Sequence, residues 1–244
     1  MALAILLWLI PSGMSRAQSF VEQNPDNNLE VSATGYTRIV SVSSNGNQGN
    51  SNSNSPAISA NGKLVAFSSG ASNLVTNDTN SKEDIFLRNL GSGKTTIIST
   101  SSTGVKGNGL SWYPSISADG RFIAFESFAS NLVGNDTNST WDVFVKDTST
   151  GKTSIVSVSS TGVRGNSFSG WASISADGRF VAFYSSASNL VNGDTNGYED
   201  VFVHDRQTKT TTRVSVSSQG EQGNKDSSMP SISADGRFVA FHSK

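Results

Sequence analysis

Ile174-Ser175-Ala176-Asp177-Gly178-Arg179-Phe180-Val181-Ala182-Phe183 is a stretch that occurs four times in this chain of 244 residues. The other copies are Ile58–Phe67 (ISANGKLVAF), Ile116–Phe125 (ISADGRFIAF) and Ile232–Phe241 (ISADGRFVAF). Their glycines, Gly62, Gly120, Gly178 and Gly236, follow one another at one constant interval. A fixed period of about 58 residues marks a stack of like supersecondary units. Each copy also carries hairpin chemistry of its own, because Asp-Gly (Asn61-Gly62 in the first) separates two apolar-alternating runs. A two-residue tight turn puts both central residues at positive φ, which Asn, Asp and Gly tolerate, and such a turn is the expectation here. The run after it, Phe180–Phe183, is β-branched and aromatic and suits a strand buried on both faces.

The second copy of the unit shows its plan. Strand one is expected over Pro114–Ser117 and strand two over Arg121–Ser127. A long loop from Phe128 to Trp141 leads to strand three, Asp142–Asp147. After a turn at Thr148–Gly151, strand four runs over Thr153–Ser159. Four short antiparallel strands in each repeat make one propeller blade. The fold class expected is therefore all-β: an incomplete β-propeller of three full blades, with partial blades at both ends. Thr37–Ser43 reads as strand four of a blade whose inner strands come from elsewhere, and the fourth unit stops at its first hairpin. A parallel β-solenoid is the competing architecture, but its repeats are much shorter and have no place for Asp-Gly hairpins.

Composition narrows the function. The net charge is −1 and charged residues make up 15% of the chain, so there is no basic field to bind nucleic acid. There is no cysteine, which excludes disulfides and thiolate metal sites. At the N-terminus, Ala2–Ile10 is an apolar run too short to span a bilayer, followed by Pro11-Ser12-Gly13 and the small-x-small set Ser15-Arg16-Ala17. Residues 1–17 read as a secretory signal peptide, although no Lys or Arg precedes the run, and a buried strand is the alternative. Residues 18–36 read as a flexible linker and 37–244 as the repeats, truncated at the C-terminus. No transmembrane segment remains after cleavage, so the expected location is bacterial and secreted, periplasmic or at the cell surface.

The pattern P-S-I-S-A-D-G-R-F-V-A-F, then D-V-F-V-x-D and T-G-K-T, resembles the WD40-like repeat of the TolB-type β-propellers over about Thr37–Lys244. That resemblance implies a bacterial, exported scaffold of six or seven blades that binds proteins or ligands. The Ala-Ser-Asn-Leu-Val loop, with Asn73, Asn131 and Asn189, is an elaboration on it and reads as structural.

Comparing the repeats with one another separates what every blade needs from what it does not. Asp78, Asn80 and Asp84 recur as Asp136, Asn138 and Asp142 and as Asp194, Asn196 and Asp200. Oxygen-bearing side chains at positions 1, 3 and 7 of a loop resemble part of a calcium site, so calcium is the one cofactor expectation. The other reading is a set of Asx-turns shaping the loop. The positions that differ between repeats hold aromatics: Trp112, Tyr113, Phe128, Trp141, Phe168 and Trp171. They fall in or near the two long loops that share one end of the propeller, which is the expected face for a protein or carbohydrate ligand. Packing against an adjacent blade is the alternative use of those rings. His204 and His242 occupy different places in the unit, and no nucleophile elbow or phosphate loop is present. The reading is a non-catalytic binding or scaffolding module; the rival is the propeller of a larger secreted hydrolase or peptidase whose catalytic domain lies outside this sequence.

Overall fold

The computed structural model of the protein describes residues 4–7 and 36–244, and among these the regular structure is entirely β. Strand β1 (Ala4–Leu7) pairs antiparallel with β2 (Tyr36–Ile39). The remainder of the expected leader 1–17 and linker 18–36 lies outside the described residues, apart from Tyr36. Blade I is β3 (Ser53–Ile58), β4 (Leu64–Ser69), β5 (Asp84–Asn89) and β6 (Thr95–Ile97), paired in that order. Blade II is β7 (Ser111–Ile116), β8 (Phe122–Ser127), β9 (Asp142–Asp147) and β10 (Thr153–Ile155). Blade III is β11 (Ser169–Ile174), β12 (Phe180–Ser185), β13 (Asp200–Asp205) and β14 (Thr210–Arg213). A hairpin of β15 (Ser227–Ile232) and β16 (Val239–Ser243) begins a further blade. The chain is an incomplete β-propeller.

Four local expectations need correction. Strand one starts earlier than the sequence suggests, at Ser111 in blade II, and strand four ends at Ile155. At the other end, the expected strand over Thr37–Ser43 stops at Ile39, and Val42 forms only an isolated bridge to Gln48. The Asp-Gly turn is also longer than the tight form. Ser117 N–H donates to the Phe122 carbonyl, leaving Ala118 to Arg121 in the loop, and Gly120 N–H donates back to Ser117. Of the central pair only the glycine is left-handed, with φ of +76° at Gly120. Asp119 instead accepts the Ser117 hydroxyl at 2.7 Å and Arg121 N–H at 2.9 Å, so the carboxylate holds the loop from inside.

The core lies between blades rather than within one. Ala66, Ile85, Leu87 and Ile98 of blade I pack against Ile123, Phe125, Leu132 and Phe144 of blade II. Blades II and III repeat the arrangement, with Val143, Val145 and Val156 against Val181, Phe183, Leu190 and Phe202. Strand two is buried from its second residue on in blades I and II, which is why it reads as a continuous apolar run. Buried polar groups tie one blade to the previous one. Lys146 Nζ donates to the Thr100 and Ser101 carbonyls at 3.1 and 3.0 Å, and Arg88 reaches the Ser43 carbonyl at 2.9 Å from the same place in blade I. His204 holds that place in blade III, where its Nδ1 lies 2.9 Å from Thr211 Oγ1.

Candidate ligand-binding face

Every strand one contains a bulge. Register breaks between Asn54 and Ala57, Trp112 and Ser115, Gly170 and Ser173, and Ser228 and Ser231. A residue inside each break is left-handed: Ser55 at φ +49°, Tyr113 at +49°, Trp171 at +52° and Met229 at +53°. For a non-glycine residue this conformation costs on the order of 1–2 kcal/mol. A bulge re-aims side chains, and here it sets Tyr113, Trp171 and Met229 into one groove of about 500 Å³ between strands one of successive blades. Glu126 pins the Trp171 bulge by accepting its backbone N–H at 2.7 Å. Burial pushes the Glu126 carboxyl above its ordinary pKa.

Five of the six aromatics singled out from sequence meet in one strip. The ring centroids run Phe128 to Trp141 at 5.9 Å, Trp141 to Trp112 at 4.5 Å, Trp112 to Tyr113 at 6.4 Å and Tyr113 to Trp171 at 4.4 Å. The strip crosses the long-loop end of blade II, from the loop after β8 to the groove beside blade III. Its open parts are Phe128, 48% exposed, and Tyr113, 37% exposed. Its middle is half-buried, and Trp112 Nε1 donates to Glu83 Oε2 at 2.9 Å. Trp112 packs, while Phe128 and Tyr113 present surface. Phe168 stands apart, against Tyr184 at 5.3 Å. It lies over Gly170, the counterpart of Trp112, where a Cβ would come within 2.7 Å of its ring. Sequence reasoning missed Glu83, Glu126, Tyr184 and Met229. Glu126 was findable, being the one acid among the counterparts Ser68, Tyr184 and His242.

The repeated polar loops form hydrogen-bonded latches. Asn80 Nδ2 donates to Asp84 Oδ2 at 2.7 Å and to the Gly107 carbonyl at 3.1 Å, while Ser99 donates to Asp84 Oδ1 at 2.5 Å. Asn138, Asp142, Ser157 and Gly165 repeat this set, as do Asn196, Asp200, Ser215 and Gly223. A cation stands by the first aspartate of each loop: Lys106 at 3.8 Å from Asp78, Arg164 at 3.8 Å from Asp136 and Arg213 at 3.1 Å from Asp194. Calcium needs an oxygen cage, whereas these carboxylates face amide, hydroxyl and ammonium or guanidinium donors. The donor set does not fit the ion. Among the described residues no group of three or more His, Cys, Asp or Glu side chains is placed to hold a metal. Burial raises Asp84 and Asp142 to a pKa of about 6. Asn73, Asn131 and Asn189 brace the same region, each accepting a backbone N–H through Oδ1 and donating through Nδ2 to a carbonyl.

No family model and no curated protein matches the sequence. Among solved structures, TolB from Acinetobacter baumannii superposes with a TM-score of 0.48 at 20% identity, over 80% of this chain and 38% of that one. The tricorn protease gives a TM-score of 0.45 at 17% identity, over 75% of this chain and 14% of its own. Oligogalacturonate lyase from Vibrio parahaemolyticus gives 0.45 at 15% identity, over 77% of this chain and 44% of that one. The chain spans less than two thirds of the length of each. Among the described residues no helix is long and apolar enough to cross a membrane.

Proposed function

We propose that the chain is a binding module that takes an extended protein or carbohydrate ligand along the aromatic strip of blade II. The observation that carries this reading is the run of five rings, Phe128, Trp141, Trp112, Tyr113 and Trp171, at positions the other repeats do not need, ending at a groove. Stacked rings with open edges at Phe128 and Tyr113 supply wide, rigid contact area for sugar faces or peptide side chains. Export on residues 1–17 is part of the proposal, resting on the apolar run Ala2–Ile10 and the set Ser15-Arg16-Ala17; cleavage there would remove β1 and leave β2 without that partner.

Three of the four tryptophans, Trp112, Trp141 and Trp171, belong to the strip, so intrinsic emission reports on it directly. Titration with neutral oligosaccharides and with unfolded peptides should quench or shift that emission for one class. The change should vanish in Tyr113→Gly with Phe128→Ala, while thermal melting is preserved. Equal responses in wild type and variant would sink the assignment.

A further inference from the structure

His204 stands where the other blades place a long cation, Arg88 or Lys146. In blade II the Lys146 ammonium sits among four oxygens: the Thr100 carbonyl and hydroxyl at 3.1 and 2.8 Å, the Ser101 carbonyl at 3.0 Å and the Thr153 hydroxyl at 3.1 Å. None of them belongs to an acid. The counterparts in blade III are Val158, Ser159 and Thr211. The imidazole is the shorter side chain, and its Nδ1 lies 2.9 Å from Thr211 Oγ1. Beside it is a cavity of about 160 Å³, walled by Ile155, Val156 and Val158 and rimmed by His204, Arg206 and Lys209.

The hydrogen-bond roles at its inner end follow from Thr211. That hydroxyl gives its one hydrogen to the Val158 carbonyl, so it accepts from Nδ1–H of His204. Burial lowers the His204 pKa to about 4, so at neutral pH the ring is uncharged and Nε2 is a bare acceptor. The Val158 carbonyl takes the Thr211 hydroxyl and the Ser159 carbonyl takes Gly162 N–H, whereas their counterparts in blade II also take the Lys146 ammonium. At the rim, Arg206 replaces Leu90 and Thr148 of the other blades. Lys209 replaces Gly93 and Gly151, and keeps their left-handed backbone at φ +65°. Asp147 and Asp205, the acids of this region, are already paired with Arg121 and Arg179, and no acid lines the cavity. Arg206 instead meets the Gly178 carbonyl and the Phe122 ring, whose centroid is 4.3 Å away.

We propose that this cavity binds a small ω-amino acid, its ammonium on the Val158 and Ser159 carbonyls and His204 Nε2, and its carboxylate toward Arg206 and Lys209. The ammonium takes the place that Lys146 fills in blade II. The methylenes lie on Ile155, Val156 and Val158, and the carboxylate supplies the anion that the lining lacks. A plain amine would meet two cations without a counter-charge, and a plain carboxylate would leave three acceptors unfilled. The site shares no residue with the aromatic strip.

Backbone amide shifts of Ser159 and Gly162 in the full chain, titrated at constant ionic strength from about 0.1 to about 50 mM, cover the affinities open to so small a ligand. The probe 4-aminobutyrate should give saturable shifts and move the His204 Nε2 resonance upfield as it accepts N–H. Butylamine and butyrate should each bind at least about tenfold more weakly, for want of one end. His204→Lys puts the blade II residue into the slot and should abolish binding, with circular dichroism and melting as in wild type. Lys209→Gly, which restores the residue of blades I and II, should weaken 4-aminobutyrate about tenfold and leave butylamine no weaker. A wild type without saturable shifts overturns the proposal. So does either half-ligand binding as well as 4-aminobutyrate, or unchanged binding in folded His204→Lys or in Lys209→Gly.

Discussion

Phe122 and Gly178 touch across the joint between blades II and III: a Cβ added to Gly178 would lie 2.1 Å from Phe122 Cδ2. The glycine thus meets two demands, a φ of +73° and room for the neighbouring ring. Gly62 meets only the first, at φ +68° with nothing within 4 Å of a Cβ there among the described residues. Gly178→Ala should therefore cost about 3–4 kcal/mol, backbone strain plus overpacking, and Gly62→Ala about 1–2 kcal/mol. Urea midpoints in dilute protein would separate them. Equal losses would show that the joint contributes nothing.

Tyr113 supplies a test of opposite sign. Glycine there removes a 37% exposed ring and relieves a left-handed backbone at φ +49°. Stability of Tyr113→Gly should change by less than about 1 kcal/mol, the two effects offsetting each other. Trp112→Ala, which strips a ring stacked on Trp141 at 4.5 Å and bonded to Glu83, should cost about 2–3 kcal/mol. A larger loss for Tyr113→Gly than for Trp112→Ala would contradict the division into open edge and packed middle.

Protonation should leave its mark on stability. Asp84 and Asp142 have folded pKa values of about 6, above their ordinary 3.8, so the folded state binds more protons than the unfolded one between those limits. Their contribution is fully present below about pH 4 and is lost as pH rises through 6. His204, lowered to about 4 by burial, works the other way in nearly the same window. Two carboxylates against one imidazole leave a net fall of up to about 3 kcal/mol from pH 4 to 7. Asp147 and Asp205, held low by Arg121 and Arg179, lose their contribution below about pH 4. Chemical denaturation should thus show maximal stability near pH 4–5, and Asp84→Asn with Asp142→Asn should flatten the fall toward pH 7.

The latch geometry predicts indifference to calcium. Thermal melts in about 5 mM calcium, well above the weakest extracellular affinities, should superimpose on melts in excess chelator, with magnesium as control. A calcium-specific rise that shrank stepwise in Asp78→Ala, Asp136→Ala and Asp194→Ala would restore the metal reading.

Some of the candidate face is legible in the repeats and some is not. Trp112 and Trp141 stand well apart in the chain, and comparison of the copies marks both as dispensable to the blade. That they stack follows only from the pairing of β7 with β8 and β8 with β9. The left-handed turn at Trp171 recurs in every strand one although the propensity of Trp opposes it, and in this blade the Glu126 carboxylate of the preceding one braces it. The polar loops show a similar division. Their left-handed positions Asn77 and Ser81 recur as Asn135 and Ser139, and then as Gly193 and Gly197 in blade III. That glycine substitution points to loop shape, while the ligand reading weighed only the oxygens.

The constant period, the hairpins and the alternation of strands are properties of neighbouring residues, and the sequence by itself determined the blade and its repetition. Local chemistry suffices there because turn conformation and strand burial are decided within a few residues. What the tertiary structure alone decided is how the blades meet: ring on glycine, Lys146 on the previous blade's carbonyls, Glu126 on the Trp171 bulge. Those contacts join residues from different repeats. Their stability comes from desolvated pairing across a joint, which exists only once two blades are already in place.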